Sequence, residues 1–180
     1  MISLRSEISR KVLGYFFLNE TESLYVNEMA RRFGLDRGNL VRKLRELEDQ
    51  GILLSEFRGN QRYYFLNKKH PLYNEYKAIV LKTVGFEVKA KELLAQMEGA
   101  EKVYIFGSYA KKEMDSGSDI DLLVIGSQDT IELQRKIRIL QDEFGREINA
   151  TSICPAEFRK RRVEDPFLKN ILDGPKIELI

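Results

Sequence analysis

The sequence predicts an α+β fold in two modules, helices and a β-hairpin first, strands alternating with helices second, with a long helix between them. Three observations predict it. Through the first 50 positions apolar residues recur at three- and four-residue spacings, and two short apolar runs around a glycine turn follow. Lys68-Lys69-His70-Pro71 interrupts that pattern, and one wide apolar stripe then runs over residues 72–98. After it, residues 103–126 read as an apolar strand, a Gly-Ser turn, a short charged segment and a second apolar strand. The expected boundaries are 1–70, 71–98 and 99–180.

The composition suits such a chain. It has 180 residues, 43% hydrophobic and 32% charged, enough apolar material for a core in one domain or two small ones. No run approaches the roughly 18 apolar residues of a membrane span, and the N-terminus lacks the layout of a signal peptide, so no membrane partner is expected. A single cysteine, Cys154, excludes an internal disulfide and fits a reducing, cytoplasmic setting. A single histidine, His70, leaves no zinc-type constellation. Charge is uneven: residues 1–70 hold 13 Lys and Arg against 9 Asp and Glu, a balance of +4, whereas residues 71–180 hold 17 against 19, a balance of −2. The two halves are expected to meet different partners.

Residues 4–18 form the first expected helix, with Leu4, Ile8, Val12, Leu13, Phe16 and Phe17 on one face. Residues 24–26 are a short apolar step. Asn27 or its neighbour caps a second helix to Phe33, and Gly34 turns the chain. Asp36 caps a third helix to about Gln50, burying Leu40, Leu44 and Leu47 before Gly51 ends it. Residues 52–57 and 63–66 are hairpin strands, and Arg58-Gly59-Asn60-Gln61-Arg62 is the turn, with a cation at each end.

This order of helix, short strand, helix, glycine turn, helix and basic hairpin resembles the winged helix-turn-helix domain of the arsenical-repressor type. The resemblance implies that the third helix enters the major groove of double-stranded DNA and that the wing touches the flanking backbone. It places Arg37, Asn39, Arg42 and Lys43 at base edges, and Arg58 and Arg62 on phosphates or in the minor groove. The same charges would also serve simply to solvate a three-helix module.

Residues 72–98 read as one connecting helix, with Leu72, Tyr76, Val80, Val84, Val88, Leu94 and Met97 among its apolar positions and Gly85 a point for a kink. Its stripe is wide for a solitary connector, so it is expected to pack between modules or against a second copy. Winged-helix regulators usually bind two half-sites as dimers, which implies a homodimer.

In the second module, Asp119 and Asp121 lie two apart on a run of strand character, Ile120 and residues 122–125. A strand sends such residues to the same side, roughly 6–7 Å apart along the backbone. Two carboxylates held that close favour a hard cation, and an all-oxygen donor set suits magnesium. Gly107-Ser108 follows a strand and opens a helix expected over residues 109–114; glycine permits close backbone approach, and the helix start offers N–H groups to a phosphate. Beyond Gly126 come a helix over 131–144, a strand within 146–153 and a short helix from Pro155 that closes in Arg159-Lys160-Arg161-Arg162. A last helix around Phe167 to Leu172 and an edge strand at 176–180 end the chain.

Gly107-Ser108, ten intervening residues, then Asp119-x-Asp121 resembles the signature of DNA polymerase β-type nucleotidyltransferases in their minimal form. The resemblance covers residues from about Leu94 onward. It implies a small mixed sheet with helices on one face, Gly107 and Ser108 holding a nucleoside triphosphate such as ATP, and Asp119 and Asp121 binding two Mg²⁺ ions. Its chemistry moves a nucleotidyl group to a hydroxyl and releases pyrophosphate, and a tyrosine on a protein partner, as in toxin–antitoxin pairs of that family, is one acceptor. The sequence departs from the family where a third carboxylate usually stands on a later strand. The aligned residue is Asn149, whose amide oxygen can ligate a metal but takes no proton; Glu147 and Thr151 share its face. Two functions are therefore expected: a DNA-binding, magnesium-dependent nucleotidyltransferase, or a transcriptional regulator whose transferase-like domain only senses a nucleotide.

Overall fold

The computed structural model describes residues 2–115 and 117–180; Met1, and Ser116 in the expected charged segment, lie outside the described residues. The chain divides into two compact units, Met1–Val88 with Asp142–Gly145, and Lys89–Gln141 with Arg146–Ile180. Among the described residues no helix is long and apolar enough to cross a membrane.

In the first unit, α1 (Glu7–Leu18) starts later than the periodicity suggested, because Ser6 caps it: its hydroxyl accepts the Ser9 N–H at 3.0 Å. Next come β1 (Leu24–Tyr25) and α2 (Val26–Phe33). Asn27 does not cap α2. β1 pairs Leu24 with Tyr64 and Tyr25 with Tyr63, so the backbone stays extended up to the first helical residue and Tyr25 occupies the cap position with no side-chain bond. Gly34, at φ 62, closes α2 in the left-handed region. Asp36 caps α3 (Arg37–Asp49), accepting the Asn39 N–H at 2.8 Å, and Leu40, Leu44 and Leu47 are buried with Val12, Phe16 and Tyr64.

β2 (Leu53–Arg58) and β3 (Gln61–Leu66) form an antiparallel hairpin, and with β1 a sheet of order β1-β3-β2. The turn is tighter than expected. Arg58 pairs with Gln61, leaving only Gly59 and Asn60 as the loop, so Arg58 and Arg62 belong to the strands. α4 (Tyr73–Val84) is tied to the loop after α1: the Tyr73 hydroxyl donates to Glu20 at 2.6 Å, and Lys77 pairs with the same carboxylate. The single helix expected over 72–98 is instead two, α4 and α5 (Phe86–Leu94). Gly85 breaks it with an extended ψ of −178, and a Cβ there would meet the Leu81 carbonyl at 2.4 Å.

The second unit contains β4 (Ala100–Phe106), α6 (Gly107–Lys111), β5 (Ile120–Gly126), α7 (Thr130–Phe144), β6 (Ile148–Ile153), α8 (Pro155–Arg161), α9 (Pro166–Asp173) and β7 (Ile177–Glu178). Its sheet has the order β6-β5-β4-β7, with β5 and β6 parallel and the other pairs antiparallel. β5 is a near-continuous apolar run because it is a central strand buried on both faces. Leu123 and Ile125 pack with Ile153, Leu168 and Ile171. α6 stops short of Met114 because Lys112 turns left-handed at φ 61.

The hairpin is locked to α3. Arg62 donates from Nη2 to both Glu48 oxygens at 2.8 and 2.7 Å and from Nε to Ser55 Oγ at 2.8 Å. The Ser55 hydroxyl, then Arg62, hold the Glu48 carboxyl below its ordinary range. A carboxyl depressed in the folded state stabilises the fold above its unfolded pKa, and that contribution is lost as pH falls through the folded value. Glu48→Gln is therefore expected to lower stability at pH 7 by about 1 kcal/mol. Urea midpoints of variant and parent should approach each other as the pH is lowered below the ordinary glutamate range.

Candidate functional site

β4 and β5 pair so that Phe106 lies opposite Asp121. The next residue is Gly107, and the turn out of β4 therefore begins beside that carboxylate. Gly107 has φ 72, and a Cβ on it would come within 2.4 Å of Asp121 Oδ2. Only glycine meets both the left-handed backbone and the close approach. Ser108 follows in the first turn of α6, half-buried.

Asp119 stands just before β5 and Asp121 within it. The parallel register of β5 and β6 sets Asn149 beside Asp121. The Asn149 amide donates to Asp119 Oδ2 at 3.2 Å and hydrogen-bonds Asp121 as well. One amide reaching both carboxylates places them on one side of the sheet. Four of the expected site positions, Gly107, Asp119, Asp121 and Asn149, thus lie together.

Burial pushes the Asp121 carboxyl above its ordinary value, and the Asp119 charge adds to the shift while the Asn149 hydrogen bond opposes it. Two carboxylates in this setting repel each other, and a cation between them would relieve both the desolvation and the repulsion. Their all-oxygen character fits magnesium, which Asp119 and Asp121 would hold. Among the described residues no group of three or more His, Cys, Asp or Glu side chains gathers as a metal site. Glu147 precedes β6 by one residue. It is exposed, and its backbone carbonyl accepts the Ile120 N–H at 2.9 Å, joining the starts of β6 and β5.

Arg146 was not singled out from the sequence. It is 8% exposed, and its Nη1 donates to the carbonyls of Asp115 at 2.9 Å and Ser118 at 3.2 Å. Asp115 Oδ1 in turn accepts the Gly117 N–H at 2.9 Å and the Ser118 hydroxyl at 2.8 Å. These bonds hold the chain immediately before Asp119. The one sequence signal was a cation between Gly145 and a strand, which has no meaning until the loop returns to it.

The expected DNA-contacting residues separate into two groups. Arg37, Asn39 and Arg42 lie exposed in the first half of α3, Arg42 donating to Asn39 Oδ1 at 3.1 Å. Lys43 is half-buried and paired with Glu46. Arg58 pairs with Glu56 at 2.6 Å and lies over the Tyr63 ring at 4.7 Å, while Arg62 is held by Glu48.

Residues 88–173 match the family model described as the nucleotidyltransferase domain. No curated protein matches the chain. Among solved structures, a toxin–antitoxin crystal structure with AMP-PNP is 21% identical, covering 52% of this chain and 72% of that one at a TM-score of 0.40. A mutant MntA-HpeT toxin–antitoxin structure is 18% identical over the same shares, also at 0.40. TrmBL2, an archaeal chromatin protein with a novel mode of DNA binding, is 16% identical over 93% of this chain and 73% of its own, at 0.29.

A carboxyl whose pKa is raised on folding opposes folding once pH exceeds its unfolded value. Asp121→Asn is therefore expected to melt above the parent at pH 7 without divalent cations. Magnesium should raise the melting temperature of the parent and leave that of Asp121→Asn unchanged, as thermal unfolding by circular dichroism would read.

Proposed function

We propose that the second unit is a magnesium-dependent nucleotidyltransferase, moving a nucleotidyl group from a nucleoside triphosphate to a hydroxyl. We propose further that the first unit binds double-stranded DNA as a winged helix-turn-helix domain. The observation that carries the transferase reading is the approach of Gly107 to Asp121, which sets the backbone of a strand-to-helix turn directly against a carboxylate. Gly107 and Ser108 would receive the triphosphate through a backbone N–H and a hydroxyl, and Asp119 and Asp121 would fix its position through the cation. Bound magnesium would neutralise phosphate charge in that position. The acceptor oxygen bonds to the α-phosphorus, the bond to the bridging oxygen breaks, pyrophosphate departs, and the acceptor proton passes to water. A serine, threonine or tyrosine hydroxyl on a protein partner is an acceptor of the required kind.

The first unit supports DNA binding through its element order, its three-stranded β1-β3-β2 sheet and the exposed Arg37, Asn39 and Arg42. A homodimer would present two such modules to a two-fold site. The lone cysteine accords with a reducing, cytoplasmic setting.

A specific observation favours the second reading, a nucleotide-sensing regulator without turnover. Asn149 sits in register with Asp121 where a third carboxylate would be, and it can take no proton. Labelled nucleoside triphosphates with magnesium, offered to the protein alone and with cell extract, separate the two. Transfer is expected, lost in Asp121→Ala and increased at least about 10-fold in Asn149→Asp, where a carboxylate becomes available as base. Binding with no transfer from any of the four nucleotides would establish the sensor instead.

For the first unit, Arg37→Ala with Arg42→Ala is expected to weaken binding to duplex DNA and to make the dependence of log K on log salt shallower by about 1–2 units. Fluorescence anisotropy across a salt series would read both, and an unchanged slope would remove α3 from the interface.

A further inference from the structure

Phe57, near the end of β2, is 73% exposed, an unusual place for a large aromatic side chain. It pairs across the hairpin with Arg62, whose guanidinium lies over the Phe57 ring at 5.8 Å and the Tyr64 ring at 5.4 Å. Arg62 is not free to swing away, since Glu48 accepts two of its hydrogen bonds and Ser55 a third. The ring is thus backed on one side by a pinned cation and open to solvent on the other.

That open ring lines a groove of about 310 Å³ between α3 and the hairpin, together with Arg37, Arg45, Asn60, Arg62 and Tyr64. Among the described residues no acidic side chain lines it. With Arg62 committed to Glu48, Arg37 and Arg45 are the lining cations that complement phosphate, and the exposed face of an aromatic ring complements the flat face of a base. A fully paired duplex offers the phosphates but keeps its bases stacked on one another. An acidic peptide would satisfy the arginines and leave the ring uncovered.

We propose that this groove is a subsite for an unpaired nucleobase of DNA, stacked on Phe57 with the adjoining phosphates on Arg37 and Arg45. The proposal rests on the DNA-binding reading of the first unit. It gives Arg62 a different task from phosphate contact: held by Glu48, it backs the ring that receives the base. The wing then recognises distorted or opened DNA, while α3 holds the neighbouring duplex.

The experiment compares the full chain on a fluorescent duplex and on the same duplex with a three-nucleotide central bubble, by anisotropy at low salt. The parent is expected to bind the bubble more tightly than the duplex. Phe57→Ala should weaken bubble binding about 5- to 100-fold, the range of a lost base–aromatic stack, and leave duplex binding unchanged. Phe57→Tyr should keep the preference. A 2-aminopurine in the bubble should be quenched by the parent and not by Phe57→Ala. If Phe57→Ala binds the bubble as the parent does, or if the parent shows no preference, the subsite is overturned while duplex binding still stands. If the parent binds neither DNA, the DNA-binding reading itself has failed, and the subsite with it.

Discussion

The candidate site depends on one strand pairing, Phe106 opposite Asp121 between β4 and β5. That register delivers the chain to Gly107 at the moment it must turn, and puts the turn against a carboxylate. Strand side chains alternate faces, so a slip by one residue would send Asp119 and Asp121 to the opposite side and leave the turn facing a buried aliphatic residue. The apolar run of β5 is buried on both faces and does not by itself choose the register; the ladder from Phe106–Asp121 through Val103–Val124 holds it. The core of the second unit and the chemistry of its site are therefore fixed by the same hydrogen-bond ladder.

The electrostatics at that place are unbalanced in the folded chain alone. Among the described residues, two carboxylates, one raised in pKa by burial, share the Asn149 amide. Stability by itself does not call for this, since an isosteric amide at either position would remove a like-charge repulsion. Arrangements of this kind accompany binding of an ion or a charged ligand. Arg146, itself buried, donates to backbone carbonyls of Asp115 and Ser118 and so orders the chain leading to Asp119.

The first unit shows the opposite economy of charge. Its hairpin cations are committed to Glu48 and Glu56, whereas the opening half of α3 keeps Arg37 and Arg42 exposed. Net charge of this half could not separate the two sets. What separates them is which side of the hairpin faces α3, and that follows from Leu53, Tyr64 and Leu66 being buried on the side that carries Ser55 and Arg62.

Local signals alone determined the helices and strands, the two-residue spacing of the aspartates, the Asp36 cap and the Gly-Ser turn, because each arises from spacing along a few residues. The tertiary structure alone decided that Gly107 touches Asp121, that Asn149 bonds the aspartates, that Arg146 anchors the loop before Asp119, and that Arg62 belongs to Glu48. Gly85 was legible as a point for a kink, but that it ends α4 outright and divides residues 72–98 into two helices was decided by the fold, since the apolar stripe continues across it. Each of these is a contact or a backbone choice between residues whose separation in sequence carries no periodic trace. Periodicity records which face is buried; it does not record what that face, or a polar group beside it, will meet.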